Sequence, residues 1–101
     1  MHMSLFRTGI LVQTAGIRDA CENDPEFTGF VRECFERHIS GDWGDTCEED
    51  AELNNEAVEA DKRGEPSDEI MSVFRTDEER SVWIITEWDR SVTTILFSEE
   101  Y

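Results

Sequence analysis

The hydrophobic period of this chain changes in its last third, and that change bounds the folds open to it. Between residues 25 and 39, Phe27, Phe30, Val31, Cys34, Phe35, His38 and Ile39 recur at helical spacing. From residue 70 onward the chain is instead rich in β-branched and aromatic residues, and the spacing predicts strands over 70–76, 81–88 and 92–97. Residues 77–80 and 89–91 join these strands as short connections.

The remaining elements follow from local signals. Asp24-Pro25 starts the long helix, with a capping carboxylate and a proline at the first helical position. Gly41 ends it. Upstream, residues 5–13 read as a strand in which Phe6, Thr8, Ile10 and Val12 share one face. Thr14 caps a short helix over 15–22, with Ile17, Ala20 and Cys21 turned inward. Residues 42–45 form a loop. Thr46 caps a third helix over 47–63, which Gly64 and Pro66 stop; its apolar stripe is a thin one of Ala51, Leu53, Ala57, Val58 and Ala60. The order β-α-α-α-β-β-β predicts a single α+β domain over residues 1–101, an antiparallel sheet of about four strands with the helices packed on one face.

Apolar runs fall short of the ~20 residues a membrane helix needs, and none near the start reads as a signal peptide. The cysteines, Cys21, Cys34 and Cys47, are odd in number and widely spaced, which speaks against a disulfide framework and for a reducing cytoplasm. Met1-His2, ahead of a second start at Met3, carries no weight in the reading.

Charge points to function. The chain holds 25 acidic and 9 basic residues, a net charge of −16. Such a charge opposes binding to DNA or to an anionic membrane and favours a basic partner. It is unevenly spread, with −2 over residues 1–41, −10 over 42–69 and −4 over 70–101. Within the middle segment Glu48, Glu52, Glu56 and Glu59 fall along one side of the third helix, flanked by Glu49 and Asp50. That is six carboxylates in the twelve residues 48–59. At about 1.5 Å of rise per residue they supply roughly one charge per 3 Å, close to the ~3.4 Å phosphate spacing of one DNA strand. The competing reading is a solvated helix in an acidic protein.

Other chemistry finds weaker support. Asp42, Asp45, Glu48 and Asp50 do not follow the calcium-loop pattern. Glu33-x-x-Glu36 and Glu56-x-x-Glu59 match the paired motifs of magnesium-dependent nucleotide hydrolases, but so acidic a chain yields such matches by chance. Cys34 and His38 could meet a zinc ion together with Cys21 or Cys47, yet C-x-x-C pairs are lacking and both residues lie on an apolar stripe, which favours core packing. No nucleophile elbow, phosphate loop or dinucleotide fingerprint is present. No cofactor or metal is expected.

The stretch from Trp83 through Thr86-Glu87-Trp88-Asp89-Arg90-Ser91 to Tyr101, together with Ser40-Gly41-Asp42-Trp43-Gly44-Asp45, resembles a family of short bacterial proteins carried by phages, plasmids and other mobile elements. The resemblance implies a bacterial host and brings no catalytic residue. In its small size and acidity the chain also resembles the DNA-mimicking anti-CRISPR proteins of type I systems, and restriction inhibitors share that character. These resemblances imply a cytoplasmic, non-enzymatic inhibitor that binds a basic nucleic-acid-binding protein or a Cas surveillance-complex subunit, and neither DNA nor membrane. Glu48, Glu49, Glu52, Glu56 and Glu59 are its expected contact residues, with Asp42, Asp45 and Asp50 at the edge and Trp43 either as an aromatic anchor or in a core or loop-packing role. The alternatives are an accessory protein whose charge only keeps it in solution, and a metal-dependent nucleotide hydrolase.

Overall fold

The computed structural model describes residues 4–77 and 79–101. Strand β1 (Ile10–Gln13) leads into helices α1 (Ala15–Asn23), α2 (Pro25–Ile39) and α3 (Glu48–Lys62). Strands β2 (Ile70–Arg75), β3 (Ser81–Thr86) and β4 (Val92–Phe97) follow, closed by a 3₁₀ turn over Ser98–Glu100. The α+β class and the element order are those expected from the sequence.

Local chemistry sets the helix starts. The Thr14 hydroxyl accepts from the Ile17 amide, and the Asp24 carboxylate accepts from the amides of Glu26 and Phe27 with Pro25 behind it. α3 differs from expectation. Its N-cap is Cys47, which makes no side-chain cap bond, and Glu48, Glu49 and Asp50 in its first turn offset the helix dipole instead. Thr46 spends its hydroxyl elsewhere, as described below.

The sheet order is β1-β4-β3-β2. β2 with β3 and β3 with β4 are antiparallel, whereas β1 lies parallel to β4 with Val12 beside Thr94. This corrects the expected all-antiparallel sheet. Alternation of apolar residues assigns side chains to faces but is the same for either strand direction. β1 is also shorter than the expected 5–13. Gly9 has φ +63, and a Cβ there would sit 2.1 Å from the Ser91 carbonyl oxygen, so the chain turns before Ile10. Ahead of that turn Phe6 is buried and the Leu5 amide donates to the Ile39 carbonyl.

One face of the sheet carries Ile70, Ser72 and Phe74, then Val82, Ile84 and Thr86, then Thr93, Ile95 and Phe97, all buried. Ile17, Val31 and Cys34 from α1 and α2 pack on it. A second cluster joins Phe6, Trp43 and Ile70 to Ala57 and Val58 of α3. His38 is fully buried and packs edge-on against the rings of Phe6 and Trp43.

Polar atoms in this core form one directed chain. The Thr8 carbonyl can only accept, so Thr93 donates to it at 2.7 Å. Thr86 therefore donates to Thr93 (2.7 Å), and His38 Nε2–H donates to Thr86 (3.0 Å). Ser72 then donates to His38 Nδ1 at 2.6 Å. The chain fixes a neutral imidazole in its Nε2–H tautomer, and burial pushes the His38 pKa down to about 3. Although Ser72 and His38 are a hydroxyl and an imidazole in contact, both are fully buried and no substrate can reach them.

Candidate interaction surface on the acidic helix

α3 runs along the free edge of β2. Its inner residue is a polar one. Asn54 donates its amide to the Met71 carbonyl at 2.7 Å and accepts from the Met71 amide at 3.1 Å, as a neighbouring strand would. The expected apolar stripe is corrected accordingly: Asn54, Ala57 and Val58 are buried, while Leu53 is 56% exposed.

The loop before α3 completes the closure of that edge. The Asp45 amide donates to the Val73 carbonyl, the Thr46 hydroxyl accepts from the Val73 amide, and the Asp45 carboxylate accepts from the Arg75 amide. Gly44 passes so close that a Cβ would meet Val73 O and the Phe74 ring at about 2.5 Å. Every outward amide of β2 at Met71, Val73 and Arg75 is thus occupied by a side chain from this segment.

These bonds sort the expected contact residues. Glu48, Glu49, Asp50, Glu52, Glu56 and Glu59 are all exposed on α3. Glu59 has Lys62 Nζ at 3.6 Å; among the described residues no base pairs with the other five. Asp42 is held by Arg37 (2.8 and 3.2 Å) and by the Gly44 amide, and the Arg37 bond draws its pKa below the ordinary carboxylate value. Asp45 is engaged at the sheet edge. Trp43 is 7% exposed and donates its indole N–H to Asn55, so it belongs to the core, and of the two roles expected for it core or loop packing is the one its position serves. Asp42 and Asp45 remain exposed and add their charge to the field around α3.

A buried cation fastens the other end of α3. Arg90 stands in the β3–β4 turn at φ +59 and is 5% exposed. Its Nη1 donates to the carbonyls of Asp68, Glu87 and Trp88, and its Nη2 donates to the Ser67 hydroxyl. Its Nε lies 3.7 Å from Asp61 Oδ1 of α3 without a hydrogen bond. Helix, incoming loop and hairpin are therefore tied at one point.

Sequence reading missed the surface beside this tie. Asp50, Leu53, Asp68, Glu69, Met71 and Trp88 line a groove of about 520 Å³. Trp88 is 67% exposed there. The available signal was a tryptophan between Glu87 and Asp89 just ahead of a turn, where no sheet partner buries it.

Among the described residues no three His, Cys, Asp or Glu side chains are placed to share a metal ion. Hydroxyls occupy both nitrogens of His38, and burial raises the Cys34 pKa to about 12. Both Cys34 and His38 are buried, the core packing that their place on the apolar stripe favours. Among the described residues no helix is long and apolar enough to cross a membrane. Comparison of the chain with protein families, with curated proteins and with solved structures finds no match.

Proposed function

We propose that this protein is an inhibitor that occupies the basic DNA-binding channel of a bacterial defence complex, acting in the host cytoplasm as an anti-CRISPR protein against a type I surveillance complex. The observation that carries this reading is the exposed carboxylate row of α3, in which only Glu59 has a base beside it among the described residues. Like charges at helical spacings of three and four each cost a few tenths of a kcal/mol, and the row keeps that cost with a single lysine beside it. The row is also held stiffly, by Asn54 on β2 and by Arg90 at the hairpin. A preformed anionic surface spends little ordering entropy on binding. α3 has 15 residues. At about 1.5 Å per residue it spans some 22 Å, the reach of six or seven phosphates. Trp88 in the neighbouring groove offers its ring to an arginine of the channel.

The direct test is a DNA-binding competition. A purified surveillance complex shifts its target duplex in a gel, and added protein is expected to abolish that shift while leaving free DNA unshifted. Inhibition should weaken steeply as salt rises, as it does for phosphate contacts. A shift of free DNA by the protein itself would overturn the reading, as would inhibition that salt does not change.

A further inference from the structure

The two edges of the sheet are treated in opposite ways. Side chains of the loop and α3 bond the outward amides of β2 at Met71, Val73 and Arg75. Among the described residues no side chain bonds along the β1 edge in this way. In the parallel pairing with β4, the amides of Ile10 and Thr14 point inward to Ser91 and Ile95, so Leu11 and Gln13 turn their N–H and C=O groups outward. Ile10, Leu11 and Val12 are 69%, 49% and 40% exposed, on both faces of the strand. A bare apolar edge is what folded chains ordinarily avoid.

Charge identifies what the edge accommodates. Residues 4–18 hold Arg7 and Arg18 and no acid, in a chain of net −16. The Glu100 carboxylate does lie at the end of this stretch, where the Thr14 hydroxyl and the Gly16 amide donate to it, but another copy of so acidic a molecule can approach β1 without meeting a row of carboxylates like that of α3. The backbone is also self-complementary. With Val12 on a twofold axis, antiparallel β1 strands pair the outward groups of Leu11 with those of the partner's Gln13, and Val12 meets the partner's Val12. An isologous pairing of this kind is closed and leaves no further edge.

We infer that two copies of this chain pair through β1 to form a continuous eight-stranded sheet. The acidic helices lie along the β2 edges, at the two outer ends of that sheet, so dimerisation leaves both free. The dimer and the inhibitory reading are therefore separately testable.

Sedimentation equilibrium of the full chain tests the inference. The unaltered protein is expected to reach twice the monomer mass as concentration rises from micromolar to millimolar. Salt between about 0.1 and about 0.5 M should strengthen the dimer by screening repulsion, the reverse of its effect on channel binding. Val12→Lys and Val12→Glu should each remain folded by circular dichroism and be monomeric, because like charges would face each other across the axis. An equimolar mixture of the two variants should recover the dimer mass. A monomeric unaltered chain at millimolar concentration and about 0.5 M salt, which would leave the edge to a strand of another protein, overturns the inference. So does a Val12→Lys variant that dimerises like the parent, or a charge-swapped mixture that stays monomeric.

Discussion

The side chain of Asn54 bonds both backbone groups of Met71, which makes a helix residue stand in for a strand partner. Through this pairing the acidic helix is fixed to the sheet edge by polar contacts as much as by its few apolar ones.

Asn54→Ala is therefore expected to destabilise the protein by about 1–3 kcal/mol, because the Met71 amide and carbonyl lose their partner in a buried setting. For a domain of this size that lowers Tm by about 4–8 °C per kcal/mol. Urea unfolding of the variant beside the parent gives the number. An unchanged midpoint would mean that water replaces the amide without loss.

Arg90→Ala should cost about 3 kcal/mol or more, since one guanidinium satisfies three carbonyls and a hydroxyl and faces Asp61. Arg90→Gly relieves the positive φ yet loses the same bonds, so it should recover only a fraction of that cost. Chemical denaturation of both variants separates backbone strain from hydrogen bonding, and a glycine variant as stable as the parent would assign the position to the turn alone.

Much of this fold is legible in the residues. Asp24-Pro25 announces α2, and the alternation through Ile70, Ser72 and Phe74 and through Val82, Ile84 and Thr86 assigns the inner face. What escapes is every bond between a side chain and a distant backbone. Thr46 reads as a helix cap because caps are local, but it serves Val73, 27 positions away. Leu53 reads as a core residue and Asn54 falls outside the expected stripe, because period counts hydrophobicity and does not register a pairing with a strand edge. Of the expected contact residues, the six on α3 are found exposed together, whereas Asp42 is held by Arg37 and the Gly44 amide, Trp43 is buried and bonds Asn55 of α3, and Asp45 holds the loop to β2. A loop's tight turn and its anchoring bonds draw on the same Asp, Gly and Trp residues as a binding surface does, and composition does not separate them.

His38 gives the protein a pH-dependent stability. Its pKa is about 3 when folded, against an ordinary value of 6.5. The unfolded chain thus binds the extra proton between these values, and stability falls as pH drops from about 6.5 toward 3. The slope should approach 1.4 kcal/mol per pH unit below the upper limit. Urea unfolding at steps between about pH 7 and pH 5.5, above the range where solvated carboxylates titrate, isolates this residue. A flat profile there would contradict the buried neutral imidazole.

Sodium chloride should raise Tm from low to moderate concentration, because screening shortens repulsion along α3 to about 8 Å at physiological strength. Differential scanning calorimetry across a salt series checks this. A much larger rise with a little magnesium than with sodium would instead indicate a shared metal site among the carboxylates.

If the exposed row of α3 takes the place of a DNA strand, reversing its charge abolishes inhibition. Glu48→Lys, Glu52→Lys and Glu56→Lys combined alter three exposed positions that lack ion-pair partners among the described residues. Asn54, Ala57 and Val58 keep their contacts, so circular dichroism should be unchanged. Facing a basic channel, the reversed charges turn attraction into repulsion at a cost of several kcal/mol. The decisive measurement is inhibition of target-duplex binding by a type I surveillance complex, titrated with parent and triple variant. Loss of inhibition by about a hundredfold or more is expected, and a folded triple variant that inhibits at the parent's concentration would contradict DNA mimicry by α3.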